Sequence, residues 1–153
     1  MPSITIKRRF ELPLREVFEA LSLHETYNLV LWPLRSERIV DSEDPARPDS
    51  IGSIRKMGIP PIMPIREEIL RVVDGELIEY AMHPNALFPY HLGRLVFSDL
   101  KDEGGGCELV YTISLESRLP LADRLVLAQL KLSATLGLAA LERRLGRSPA
   151  PRS

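Results

Sequence analysis

The sequence predicts an α+β protein: a meander of about six to seven antiparallel strands with one face covered by a long C-terminal helix, and two short helices after the first strand. Three observations predict it. The segment from Pro120 to Gly146 reads as one long helix with two apolar stripes. The stretch from Leu34 to Glu116 is a run of strand patterns separated by turn residues. The chain opens on one alternating segment followed by two short helical ones.

Ile4, Ile6 and Phe10 alternate with polar residues and predict a first strand over about 3–11. Pro13 suits the first turn of a helix, and LREVFEALS follows with Val17, Phe18 and Leu21 on one side. Ser22 and Glu25 have the spacing of a capping box, which predicts a second short helix through Tyr27 and Val30 that stops before Pro33. Leu34 to Val40 reads as a strand, and DSEDPARPDS as a polar loop. Five strand candidates follow: GSIRKMG, MPIREEILRVV, ELIEYAMH, HLGRLVFSDL and CELVYTISLES. Pro60-Pro61, Asp74-Gly75, Pro84-Asn85 and the Gly104–Gly106 run separate them, and Asp74-Gly75 is the strongest hairpin signal.

In the last helix, Leu121, Leu125, Ala128, Leu132, Leu136 and Ala139 fall on one face at about 100° per residue. Leu127, Leu130, Ala134, Leu138, Leu141 and Leu145 fall on nearly the opposite face. A surface helix needs one stripe. Two stripes place this helix between the sheet or a cavity on one side and the short helices or a second subunit on the other. Small residues at Ala134, Gly137 and Ala139 mark where space is left for a ligand.

The chain has 153 residues, 44% hydrophobic and 27% charged, with a formal net charge of -1 from 20 basic and 21 acidic residues. This predicts one globular domain over 1–146 and a frayed tail over 147–153. No basic stripe with interleaved aromatics supports nucleic-acid binding. The single Cys107 excludes an internal disulfide and a cysteine-rich zinc site. The N-terminus has no apolar run of signal-peptide length, and charges interrupt the last helix, so the expectation is a cytoplasmic protein without a membrane span.

PLREVFEAL, Trp32-Pro33, Gly52-Ser53-Ile54-Arg55, Arg66-Glu67-Glu68-Ile69, Ile78-Glu79-Tyr80, Gly93-Arg94-Leu95 and Gly105-Gly106-Cys107-Glu108-Leu109 occur in an order and spacing that resemble the SRPBCC or START-like helix-grip superfamily. That superfamily includes the START lipid-transfer domains, the pollen-allergen-like proteins and the polyketide cyclase/dehydrase-like branch. The resemblance implies a curved antiparallel sheet wrapped around, and gripping, the C-terminal helix, with a cavity between them for an apolar ligand. It implies no shared catalytic signature.

Alternation sends Leu109, Tyr111, Ile113 and Leu115 inward, with His91, Gly93, Leu95 and Phe97, and with Ile78, Tyr80 and Met82. Adjacent Glu67 and Glu68 must face opposite sides, as must Arg55 and Lys56, so one acid and one base can meet on the concave side. Such a pair could orient a polar ligand group or tune a carboxylate for acid–base work. The competing reading is an outer-face ion pair worth ~0.2–1 kcal/mol. His83 and His91 flank the loop PNALFPY, without the spacing of a metal site. His24 reads as exposed, and Cys107 lacks a charged activator. Phe88, between prolines, reads as a flap over a cavity mouth or a membrane-touching tip.

The candidate ligand-binding residues are Trp32, Glu67, Tyr80, Met82, His91, Leu95, Phe97, Tyr111, Ala134 and Leu138; no metal or cofactor is expected. The leading function is binding of a small hydrophobic or aromatic, lipid- or polyketide-like ligand, as carrier or sensor. A cyclase/dehydratase-type enzyme using Glu67 or Glu68, His91 and Tyr111 is the second reading. The third is a homodimer or partner surface built from the second helical stripe.

Overall fold

A computed structural model describes residues 1–59 and 62–146; the predicted tail over 147–153 and the Pro60-Pro61 turn lie outside the described residues. Strand β1 (Ser3–Phe10) leads to helix α1 (Leu14–Leu21), a single 3-10 turn at His24–Thr26, and helix α2 (Tyr27–Val30). Six strands follow: β2 (Arg35–Val40), β3 (Ile54–Ile59), β4 (Ile62–Val73), β5 (Leu77–Met82), β6 (Tyr90–Asp99) and β7 (Cys107–Glu116). Helix α3 (Ala122–Gly146) ends the described chain.

The seven strands form one antiparallel sheet in the order β1-β7-β6-β5-β4-β3-β2. β1 and β2 are therefore opposite edges, and the segment joining them carries both short helices from one edge to the other. Register shifts at Arg38/Val40, Met57/Ile59 and Ile69/Arg71 lie in the β2–β5 half. Such irregularities bend strands and add local twist. The predicted alternation holds: Leu109, Tyr111, Ile113 and Leu115 of β7, and Leu95 and Phe97 of β6, are buried.

Two local details differ from expectation. No capping box forms, because the Ser22 hydroxyl donates to the Phe18 carbonyl at 2.7 Å instead of capping the following turn. Helix α3 starts two residues after Pro120, since Leu121 adopts a left-handed φ of 67°. That conformation is uncommon for a residue with a Cβ and cannot propagate a right-handed helix.

The helix has two stripes, but the protein covers only one. Leu127, Ala134, Gly137, Leu138 and Leu141 are buried. Glu142 fastens the C-terminal half to β1, accepting from Arg8 Nη2 at 2.6 Å and from the Glu11 amide at 2.7 Å. Leu121, Leu125, Leu132 and Leu136 are 57–71% exposed, so the short helices do not cover that face. By length and composition α3 could cross a bilayer, contrary to the sequence reading, but its inner face belongs to the core.

Helix α2 instead meets α3 at Gly137. A Cβ there would lie 2.4 Å from the Val30 carbonyl oxygen and 2.6 Å from the Val30 Cα. The small residue makes room for a neighbouring backbone and not, as the sequence suggested, for a ligand. Alanine in a helix ordinarily gains up to ~1 kcal/mol over glycine. Gly137→Ala should nevertheless destabilise the protein by about 1–3 kcal/mol, as overpacking does, read as a lower urea midpoint at unchanged m-value.

Candidate functional site

The register places the site. Arg55 of β3 is the cross-strand partner of Glu67 of β4, and Glu67 is also the partner of Met82 of β5. Both Arg55 and Glu67 are buried, whereas Lys56 is exposed and Glu68 turns outward to His83. The strand pleat therefore resolves the two adjacent-charge ambiguities in one step: Arg55 and Glu67 occupy the concave face. Arg55 Nε donates to Glu67 Oε1 at 3.1 Å.

Aromatic rings surround this pair. The guanidinium carbon lies 4.3 Å from the Tyr27 ring centroid and 4.6 Å from that of Tyr80. Arg55 Nη2 is buried without a hydrogen-bond partner among the described residues, so the π-faces supply part of its compensation. Burial alone would lower the Arg55 pKa, but the charge of Glu67 and the neighbouring tyrosines raise it. The Tyr27 hydroxyl donates to the Leu21 carbonyl at 2.7 Å, tying α1 to the cluster, and burial pushes its pKa up to about 12. Tyr80 and Tyr111 are hydrogen-bonded through their hydroxyls, and burial raises both pKa values. Gly93, opposite Tyr80 in register, makes room for that ring: a Cβ would fall 2.2 Å from Tyr80 Cζ.

His91 completes the cluster. Its Nδ1 accepts from the Met82 amide at 3.0 Å, and its Nε2 lies 3.8 Å from Glu67 Oε2. A nitrogen that accepts from an amide carries no proton, so the neutral imidazole is protonated at Nε2. Burial, followed by smaller opposing effects of Glu67 and Arg55, lowers the His91 pKa. The ring thus presents a donor, not the free lone pair of a general base.

Glu67, Tyr80, Met82 and His91 line a cavity of about 330 Å³ between the sheet and α3. Val126 and Leu130 form the helix wall, and Leu31, Leu34, Leu87 and Phe88 also border it. The expected flap residue Phe88 is therefore part of the cavity. Of the other sequence candidates, Leu95, Phe97, Tyr111, Ala134 and Leu138 lie in the packed core, and Trp32 is 66% exposed. Leu130 belongs to the inner stripe, though periodicity does not say which of its turns faces empty space, and Val126 lies on neither stripe.

A second cavity of about 220 Å³ lies beyond Arg55, bounded by Leu21, Ser22, Asp49, Ile69 and Ile78. Here His24 departs from its expected exposure: its Nδ1 is 3.0 Å from Asp49 Oδ1, which also accepts from Arg38 Nη1 at 2.8 Å. Partial burial would raise the Asp49 pKa, but these two partners lower it. His83 and His91 face opposite sides of the sheet, and no cluster of metal-ligating side chains occurs among the described residues. Cys107 is buried, and loss of hydration pushes its thiol up to about 11.

No family model and no curated protein matches the chain. Solved structures do. A START superfamily protein from Mycobacterium smegmatis superposes with a TM-score of 0.72 at 13% identity, over 95% of this chain and 97% of that one. Ara h 8.0201 gives 0.68 at 12% identity, over 96% and 99%. A protein from Thermus thermophilus gives 0.67 at 20% identity, over 96% and 100%. The chain has the START-like, helix-grip fold.

The buried cluster can be tested through stability. Arg55→Met leaves Glu67 without its partner and should cost about 3–5 kcal/mol in urea unfolding. Adding Glu67→Leu should recover most of that loss, because the remaining site is apolar. His91 bears on pH: its depressed folded pKa means the unfolded chain binds more protons below about pH 6.5. Its contribution is therefore complete above about pH 6.5 and is lost as pH falls toward the folded pKa, at up to ~1.4 kcal/mol per unit. His91→Asn should flatten that portion of a plot of stability against pH.

Proposed function

We propose that this protein encloses a small, mainly apolar or aromatic ligand bearing one polar group, as a cytoplasmic carrier or sensor. One observation carries the reading. An otherwise apolar cavity between sheet and helix has a buried donor, His91 Nε2–H, and a buried acceptor, Glu67 Oε2, at its wall. Pockets that recognise small molecules combine apolar walls with a few fixed polar groups of this kind. A hydroxyl could donate to Glu67 while accepting from His91. At about 330 Å³ the cavity is near the lower end of the ~300–1,000 Å³ range of ligand pockets. That size favours a short acyl chain or a compact ring system, of the lipid- or polyketide-like kind, over a two-chain lipid.

The same geometry weighs against His91 as the general base of a cyclase or dehydratase. Its Nδ1 accepts from the Met82 amide, so the other ring nitrogen carries the proton. A base for proton abstraction needs an available lone pair within reach of the substrate.

Native mass spectrometry of freshly purified protein should reveal a co-purifying small molecule, and an apolar fluorescent probe should be displaced by it. Leu130→Trp places an indole in the cavity and should weaken binding of that probe by at least about tenfold, since it removes the volume that the ligand would fill. Unchanged probe affinity in a folded Leu130→Trp variant would overturn the assignment of the cavity.

A further inference from the structure

The outer face of α3 is the largest feature that the ligand cavity leaves unexplained. Leu125, Ala128, Leu132 and Leu136 recur at helical spacing along it and are exposed, the three leucines by 57–71%, and Leu119 and Leu121 just before the helix are exposed as well. Contiguous exposed leucine of this kind marks an interaction surface. Arg118, Arg124, Lys131, Arg143 and Arg144 lie along this helix or immediately before it, are exposed, and make no ion pair among the described residues. The helix has only two acids: Asp123 accepts from the Arg124 amide, and Glu142 is bound to Arg8 and the Glu11 amide. Five cations thus accompany the leucines on a chain whose formal net charge is -1.

We propose that this face docks the protein on an anionic lipid surface, with α3 lying in the interface plane. An apolar stripe bordered by Arg and Lys is the chemistry of an interfacial helix: leucines enter the acyl boundary while the cations meet anionic headgroups. The inner face remains bound to the sheet, so the helix lies on the bilayer and does not cross it. A second copy fits less well. In an antiparallel twofold pairing the flank carrying Arg124 and Lys131 meets the same flank of its partner, and the one acid on that flank, Glu142, is already paired with Arg8. The stripe also adjoins the cavity's border. The Arg118 amide donates to the Leu87 carbonyl at 2.9 Å, and Leu87 lines the cavity. Trp32, 66% exposed, follows the lining residue Leu31. Docking would therefore bring the cavity's border near the lipid.

Co-sedimentation of the full chain with phosphatidylcholine vesicles, with and without about 30 mol% phosphatidylglycerol, tests this. The expected result is binding to the anionic vesicles alone, reduced by salt. Leu125→Gln/Leu132→Gln and Arg124→Gln/Lys131→Gln should each weaken partitioning by at least about tenfold. Leu70→Gln, which alters an exposed leucine on β4, should leave it unchanged. The substituted side chains are exposed, and unchanged circular dichroism and melting will verify their folding. No binding to anionic vesicles, or equal loss in Leu70→Gln, would overturn the proposal. A concentration-dependent dimer abolished by Leu125→Gln/Leu132→Gln, without vesicle binding, would assign the face to a second copy instead. Probe binding in solution reads the cavity separately, so failure of one proposal is distinguishable from failure of the other.

Discussion

The pairing of Arg55 with Glu67 inside the sheet's concave face constrains much of the rest of the molecule. Removing two opposite charges from water costs several kcal/mol per ion, and their attraction offsets this only with good geometry and further partners. The structure supplies those partners from separate elements. Tyr27 of α2 and Tyr80 of β5 both present their rings to the guanidinium, inclined at 66° to each other, while His91 of β6 approaches the second carboxylate oxygen. Tyr111 of β7 joins through the Tyr80 hydroxyl. A change in register at β3, β4, β5 or β6 would move one of these groups to the other face. The cluster therefore ties a particular strand alignment and a particular position of α2 to the satisfaction of one ion pair.

The same cluster separates two spaces. Arg55 borders the smaller cavity beneath the end of α1, and Glu67 borders the larger one beneath α3. The polar groups meet at a partition, leaving the larger cavity apolar except for the edge formed by Glu67, Tyr80 and His91. Under the proposed ligand-binding role, a site built this way would recognise one polar feature of a ligand and be permissive about its apolar remainder. Its polar edge rests on the fixed tautomer of His91, which the Met82 amide sets. A backbone donor cannot rotate away as a side chain can, so this neutral imidazole keeps its donor directed toward the carboxylate.

Much of the fold was legible because its signals are local. The alternation in CELVYTISLE places Tyr111 inward regardless of what lies opposite, and Asp74-Gly75 specifies its hairpin through the positive φ of Gly75. The adjacent pairs Arg55-Lys56 and Glu67-Glu68 showed that one charge of each must point inward. They could not show which, because the choice depends on cross-strand register. Gly137 was misread for a related reason: an absent side chain records close approach but not the identity of the approaching group, here the Val30 backbone. Tyr27 gave no sign of its stack on Arg55, since the two meet only after the connection between the sheet's edges has crossed the concave face.

The two stripes of α3 show what periodicity can and cannot decide. Both are real in the sequence, and one builds the core through Leu127, Ala134, Leu138 and Leu141. A helix with an inner stripe alone would satisfy the sheet and leave a polar surface toward water. The outer leucines contribute nothing to this core, yet they expose apolar area along the helix and so carry a solubility cost. Basic side chains beside them lessen that cost by opposing self-association, while retaining attraction for an anionic surface. The combination of leucine stripe and unpaired cations therefore accounts for both sides of the helix: one closes the cavity against the sheet, and the other remains available to an anionic interface.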